Sequence, residues 1–349
     1  MKSHFDESSK FREIMNKTRA DWANILGAAK AARENREKLN SMLQNGEPLG
    51  NEDLSFVVFG SLAREEWTSG SDVDWTLLID GEANPQHLKI AQAINEKLEE
   101  VNFREPGRTG VFGNLSFSHE IIHQIGGQSD TNRNTTQRIL LLLESVPLGD
   151  HVQAFDRVTS GVLSRYLEED PSSSKVPRFL LNDIIRFWRT VAVDFASKQR
   201  ERAGKGWGLR NAKLRMSRKL IFTAGMLLCF NSKRSAEADG SESTDGPILK
   251  YLQNNFQTTP LEVVADACTD LDDGGAEIGN KIFSQYDLFL KVMNDPEKRG
   301  KLESLRSDGS KNCPVFDEVR AIGNGFQEGL IALLFSDPFA ELTKEYGVF

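Results

Sequence analysis

The chain has 349 residues, a net charge of −8, 39% hydrophobic and 27% charged residues. It is long enough for two domains, ordinary in composition for a water-soluble protein, and too acidic for a general nucleic-acid coat. Cys229, Cys268 and Cys313 are scattered and odd in number, which excludes a disulfide framework or a thiolate metal pattern and makes a reducing, cytoplasmic setting the expectation. No apolar signal core stands at the N-terminus. The longest apolar stretch, Leu220 to Phe230, is too short to span a bilayer, so no membrane partner is expected.

Residues 8–44 predict one long helix or two: Phe11, Ile14, Met15, Trp22, Ile25, Leu26, Ala29, Leu39 and Leu43 recur at helical spacing. The proline-containing run Gly46 to Gly50 ends it. A strand is expected at 54–60, ending in Gly60-Ser61, and a second at 72–80, opened by Asp72-Val73-Asp74. Alternation along a strand puts residues i and i+2 on one face, so Asp72 and Asp74 converge and form a hard-cation site suited to Mg²⁺. A glycine lets bare backbone approach a phosphate closely. A metal beside a phosphate cradle points to phosphoryl or nucleotidyl transfer.

Further on, a helix is predicted from Pro85 to about Glu100, a short strand over 101–105, a glycine-rich loop over 106–113, and helices over 116–125 and 131–146. The polar, proline-bounded run 168–177 marks a boundary. Residues 178–230 read as helical with a break at Gly204 to Gly206. An acidic, serine-rich loop follows to Gly246, then helices at 247–256, 260–269, 276–294 and 314–335. Strand signals are nearly absent after residue 150. The expected fold class is α+β: a small mixed-sheet catalytic domain with an N-terminal helix over 1–150, then an all-helical domain over 151–349 that closes on the nucleotide and binds the acceptor.

The Gly-Ser pair, the fixed gap and the Asp-x-Asp followed by hydrophobics resemble the signature of the DNA-polymerase-β-type nucleotidyltransferase superfamily. With Arg64, Glu66 and Ser71, the stretch is most similar to a branch that holds the uridylyltransferases and adenylyltransferases of nitrogen-signalling proteins and glutamine synthetase. That branch reads Gly-Gly/Ser-x-x-Arg-x-Glu-x-x-x-x-Ser-Asp-x-Asp, and every element is present. The resemblance is specific over 54–80, weaker over 81–150 and architectural beyond.

It implies a nucleotidyltransferase that moves a nucleoside monophosphate from a nucleoside triphosphate to an acceptor hydroxyl, on a protein, an RNA or a small molecule, and releases pyrophosphate. Asp72 and Asp74 would hold two Mg²⁺ ions, such ions lying about 4 Å apart in two-metal sites. Gly60 and Ser61 would bind the phosphates, and Arg64 would add charge there or pair with Glu66. Relatives supply a third carboxylate from a neighbouring strand; Glu105 is the first candidate and Asp130 the second. Without one, the chain would be a nucleotide-binding regulator without turnover. Arg108 is a further candidate contact for phosphate or acceptor.

Two other features compete for attention. His119-Glu-Ile-Ile-His123 is formally a zinc-protease motif, with Glu144 at a third-ligand distance in sequence. A helix packed on the sheet accounts for the same residues. Between Arg178 and Lys219 stand twelve Lys/Arg against three Asp/Glu, a net of +9, interleaved with Phe187, Trp188, Phe195 and Trp207. Part of this face is expected to meet the triphosphate, with Lys213 and Lys219 first and Arg186 and Arg189 next. The rest is expected to recruit an acceptor protein or RNA.

Overall fold

Two helices precede the sheet in the computed structural model, which describes residues 5–44, 51–104, 112–168, 176–201, 204–239, 245–271 and 273–347. They are α1 (Lys10–Thr18), capped by the Ser9 hydroxyl, and α2 (Ala23–Gln44). Arg19, with φ 52, ends α1 and makes two helices of the stretch that periodicity leaves as one or two. On α2 the apolar row Ile25, Ala28, Ala29, Ala32, Leu39, Leu43 is buried.

The four strands are β1 (Leu54–Phe59), β2 (Trp75–Ile79), β3 (Asn114–Phe117) and β4 (Ser145–Leu148), in the spatial order β3-β2-β1-β4. β1 runs antiparallel to β2 and β4, and β2 runs parallel to β3. Every residue of β1 and β2 is buried because both faces of the sheet are covered. Alternation divides them: Leu54, Phe56, Val58, Trp75 and Leu77 pack with α2 and with α4 (Gln86–Glu100). Val57, Phe59 and Leu78 face the larger core.

That core is supplied by helices. The single turn α3 (Gly60–Ala63) follows β1; α5 (Ser118–Ile122) and α6 (Asn132–Leu143) lie between β3 and β4. After β4 come α7 (Gln153–Glu168), α8 (Arg178–Glu201) and α9 (Trp207–Lys213). A π-helical turn, Leu214–Arg218, joins α9 to α10 (Lys219–Asp239). The remaining helices are α11 (Asp245–Asn255), α12 (Pro260–Thr269), α13 (Gly275–Asn294), α14 (Pro296–Ser304), α15 (Pro314–Leu334) and α16 (Ala340–Leu342). The N-terminal pair packs onto this group: α1 meets α12 and α13, and α2 meets α13. The protein is α+β, with a small mixed sheet and a large helical part. Among the described residues, no helix is long and apolar enough to cross a membrane.

Local readings differ in five places. Residues 101–104 form a turn, with Asn102 at φ 57, because the chain reverses at the end of α4. The helix expected over 116–125 is strand β3 followed by the short α5. The helix expected over 131–146 stops at Leu143 and the chain becomes β4, whose Pro147 pairs with Val57 on an edge strand, where a missing N–H is tolerated. Strand β2 begins at Trp75, leaving Asp72 and Asp74 just before it. Helix α10 continues through the serine-rich segment to Asp239.

Candidate active site

The end of β1 and the start of β2 are tied by the Phe59 N–H, which donates to the Asp74 carbonyl at 2.8 Å. The next residue, Gly60, adopts φ +69, and a Cβ there would stand 3.0 Å from Asp74 Oδ2. Glycine is therefore favoured by the left-handed conformation, and the carboxylate beside it crowds any side chain there. The loop from Ser61 to Asp72 is laced together by hydroxyls. Ser61 Oγ donates to Ser71 Oγ at 3.1 Å, and the Thr68 N–H donates to Ser71 Oγ at 3.0 Å. The Val73 N–H donates to the Arg104 carbonyl at 3.0 Å, anchoring the stretch between the two aspartates.

Asp74 is pushed up from 3.8 to about 7 by burial and by the neighbouring Asp72, with Glu144 adding to the effect and Lys213 and Arg218 opposing it. Lys213, at the end of α9, is held below its ordinary value of 10.5 by burial, with Arg299 and Arg218 adding to this and Asp72 and Asp74 opposing. The two carboxylates and the Lys213 ammonium thus share one electrostatic environment. Two close oxygen donors whose joint ionisation is resisted are the donor set a hard divalent cation fits.

Behind the Gly60 turn lies a buried charge cluster. Arg64 donates to Glu66 Oε2 from Nε at 3.0 Å and from Nη2 at 2.7 Å, and its Nη1 donates to Glu144. Arg218, from the π-helical turn, donates to the other Glu144 oxygen at 2.9 Å. Burial works against the Arg64 charge, but Glu66 and Glu144 more than offset it and its pKa is raised. Glu65 turns the opposite way at φ 60 and meets Arg33 and Arg36 of α2. The adjacent glutamates thus pair with different arginines, Glu65 with those of α2 and Glu66 with Arg64.

The structure brings together Gly60, Ser61, Asp72, Asp74 and Lys213. Arg64 sits behind them in its ion pairs. The Lys219 ammonium donates to Gln327 Oε1 on α15 at 2.7 Å. Glu105 and Arg108 lie outside the described residues. Asp130 is held by Arg138 and Arg186 in a separate network with Tyr166 and Asp183. His119 and His123 are exposed with ring centroids 5.3 Å apart, while Glu144 is occupied by its arginines. Among the described residues, no group of three His, Cys, Asp or Glu side chains converges to hold a metal. The Phe112 ring lies 4.9 Å from that of Phe59 at the end of β1. Sequence reading weighed Glu144 only as a zinc ligand and Arg218 only as part of the basic stripe. Arg299 carried no signal at all.

A bare-backbone turn thus meets an acidic pair at the ends of the two central strands of a small mixed sheet. Residues 36–111 match the nucleotidyltransferase domain family. The protein carries a nucleotidyltransferase domain consistent with the polymerase-β-like superfamily, and it is an enzyme of nucleoside-monophosphate transfer. No curated protein matches the chain.

Proposed function

We propose that the protein is a Mg²⁺-dependent enzyme that transfers a nucleoside monophosphate from a nucleoside triphosphate to an acceptor hydroxyl. The acceptor oxygen forms a bond to the α-phosphorus, the α–β phosphoanhydride breaks, pyrophosphate leaves and the hydroxyl proton is lost. The observation that carries this reading is the contact between Gly60 and Asp74: the phosphate-approach turn and the acidic pair form one site. Asp72 and Asp74 would hold the cation, whose chemistry is to neutralise phosphate charge and polarise the transferred phosphoryl group. The bare Gly60 backbone and the Ser61 hydroxyl accept the phosphates at the turn. Lys213 supplies a poorly solvated positive charge facing the same carboxylates, where a phosphate bond gains most.

The acceptor we favour is a protein side chain, supported by the Arg64, Glu66 and Ser71 pattern of the protein-modifying branch. An RNA end is a second candidate, supported by the basic 178–219 segment, and a small molecule a third. The test is incubation with each α-labelled nucleoside triphosphate and Mg²⁺, with and without cell extract. Label appearing in protein, with equimolar pyrophosphate and dependence on Mg²⁺, is the expected result. Label in RNA alone or in a small molecule reassigns the acceptor, and the absence of both label transfer and pyrophosphate release contradicts the reading.

A further inference from the structure

The loop between the phosphate turn and Asp72 is keyed to the helical part by one buried side chain. Arg299 of α14 runs so close to Gly70 that a Cβ at Gly70 would lie 2.2 Å from its Nε, 2.4 Å from Cζ and 2.6 Å from Cδ. Gly70 lies outside the left-handed region, so what opposes a side chain there is the Arg299 side chain and not backbone conformation. The guanidinium donates to the Gly70 carbonyl and, at 3.5 Å, to Thr68 Oγ1, while its Nε donates to Glu303 Oε1 at 2.9 Å. Thr68 Oγ1 in turn lies 3.3 Å from Ser71 Oγ, which accepts the Ser61 hydroxyl. The neighbouring Ser69 is fixed by its N–H donating to Asn294 Oδ1 at 3.0 Å.

The same helix sets the position of Lys213. The Gly206 N–H donates to the Glu303 carbonyl at 2.9 Å and the Gly208 N–H to the Leu305 carbonyl at 3.2 Å. A Cβ on Gly208 would stand 2.8 Å from the Leu302 carbonyl, so α9 and the end of α14 are in backbone contact. Lys213 closes α9, and Arg299 is near enough to disfavour its charge.

We propose that Arg299 is a positioning residue for the nucleotidyl-transfer site. By filling the space beside Gly70 it fixes the Thr68 to Asp72 stretch, and through α14 and α9 it fixes Lys213 against Asp72 and Asp74. The inference rests on the nucleotidyltransferase reading and adds to it the device that registers the helical part on the sheet.

The lock makes a compensating prediction. Gly70→Ala overlaps Arg299, whereas in an Arg299→Ala background the space is empty and the added methyl is harmless. The probe is inorganic tripolyphosphate with Mg²⁺, titrated calorimetrically into the full chain, with melting temperature followed in parallel. Gly70→Ala and Arg299→Ala should each weaken binding roughly tenfold or more, the scale of lost charge-assisted hydrogen bonds. The double variant should bind no worse than Arg299→Ala alone. Lys213→Ala should cost far less affinity in the Arg299→Ala background than in wild type, a coupling that a purely structural role would not produce. Penalties that simply multiply, in either pair, overturn the proposal. If Gly70→Ala fails to fold, the double variant must fold and match Arg299→Ala, and its failure to do so also overturns it. A wild type that binds no tripolyphosphate contradicts the nucleotidyltransferase reading, while the melting-temperature cycle still decides the lock.

Discussion

Gly60 and Asp74 define each other: the carboxylate oxygen Oδ2 lies 3.0 Å from the point where any side chain on Gly60 would begin. The glycine turn and the second aspartate are one structural unit, so changing either disturbs both.

Gly60→Val should combine left-handed backbone strain with a clash against Asp74. A loss of about 1–2 kcal/mol is expected from the backbone conformation alone, with weakened triphosphate binding beyond that. Ser61→Ala should cost on the order of 1 kcal/mol. Chemical denaturation together with calorimetric titration of triphosphate separates the two effects. Unchanged triphosphate affinity in a folded Gly60→Val protein removes the cradle.

Asp74 supplies a pH dependence with a definite sign. Its pKa is raised from 3.8 to about 7, chiefly by burial and by Asp72. Between those values the metal-free folded protein holds a proton that the unfolded chain has released, so this group's contribution to stability falls as pH rises. A cation needs the ionised carboxylate, so Mg²⁺ binding should expel a proton below about pH 7 and tighten as pH rises towards that value. Titrations in buffers of different ionisation enthalpy count the proton. Asp74→Asn should abolish its release, and unaltered release in that variant would show that another group is responsible.

Glu144 joins Arg64 on the turn to Arg218 on the helical part, with its side chain fully buried. Glu144→Ala would leave two guanidinium groups short of their shared carboxylate. Removing one partner of a buried pair costs about 3–5 kcal/mol. Urea denaturation should show a loss on that scale, and one below about 1 kcal/mol, the level of an exposed pair, would mean that water already screens the cluster.

Lys213 and Lys219 should behave differently although they stand in one basic run. Lys213 faces Asp72 and Asp74, whereas the Lys219 ammonium is bonded to Gln327. Lys213→Ala should raise the apparent KM for triphosphate roughly 10- to 100-fold, the scale of a charge-assisted bond to phosphate. Lys219→Ala should change it little. Equal effects would place both ammonium groups on the nucleotide.

The parts of this account legible in the sequence are those written in local pattern. β1 and β2 announce themselves as apolar runs, and Gly60, Ser61, Asp72 and Asp74 as a spaced motif bracketed by them. β4 was hidden because the apolar run Ile139 to Leu143 leads straight into it and a proline sits in the strand. The strand expected at Val101 to Glu105 gives way to a turn because Val101 and Asn102 cap and reverse the end of α4, a reversal that apolar content does not announce. The charged cluster was half legible: Arg64 with Glu66 is local, but Glu144 and Arg218 reach it only through tertiary folding. Arg299 sits in a charged run that reads as solvated surface, and its role depends on a glycine far away in the chain. Long-range contacts made by ordinary charged residues leave no periodicity to read.

The most direct test of the central claim is Mg²⁺-dependent pyrophosphate release and label transfer by Asp74→Asn beside wild type. The substitution keeps the shape of the side chain and removes the carboxylate that faces Gly60, Asp72 and Lys213. The expected result is a folded protein, with melting temperature at or above that of wild type at pH 8 without metal, in which both signals fall to background. A folded Asp74→Asn protein that releases pyrophosphate and transfers label at the wild-type rate would contradict it.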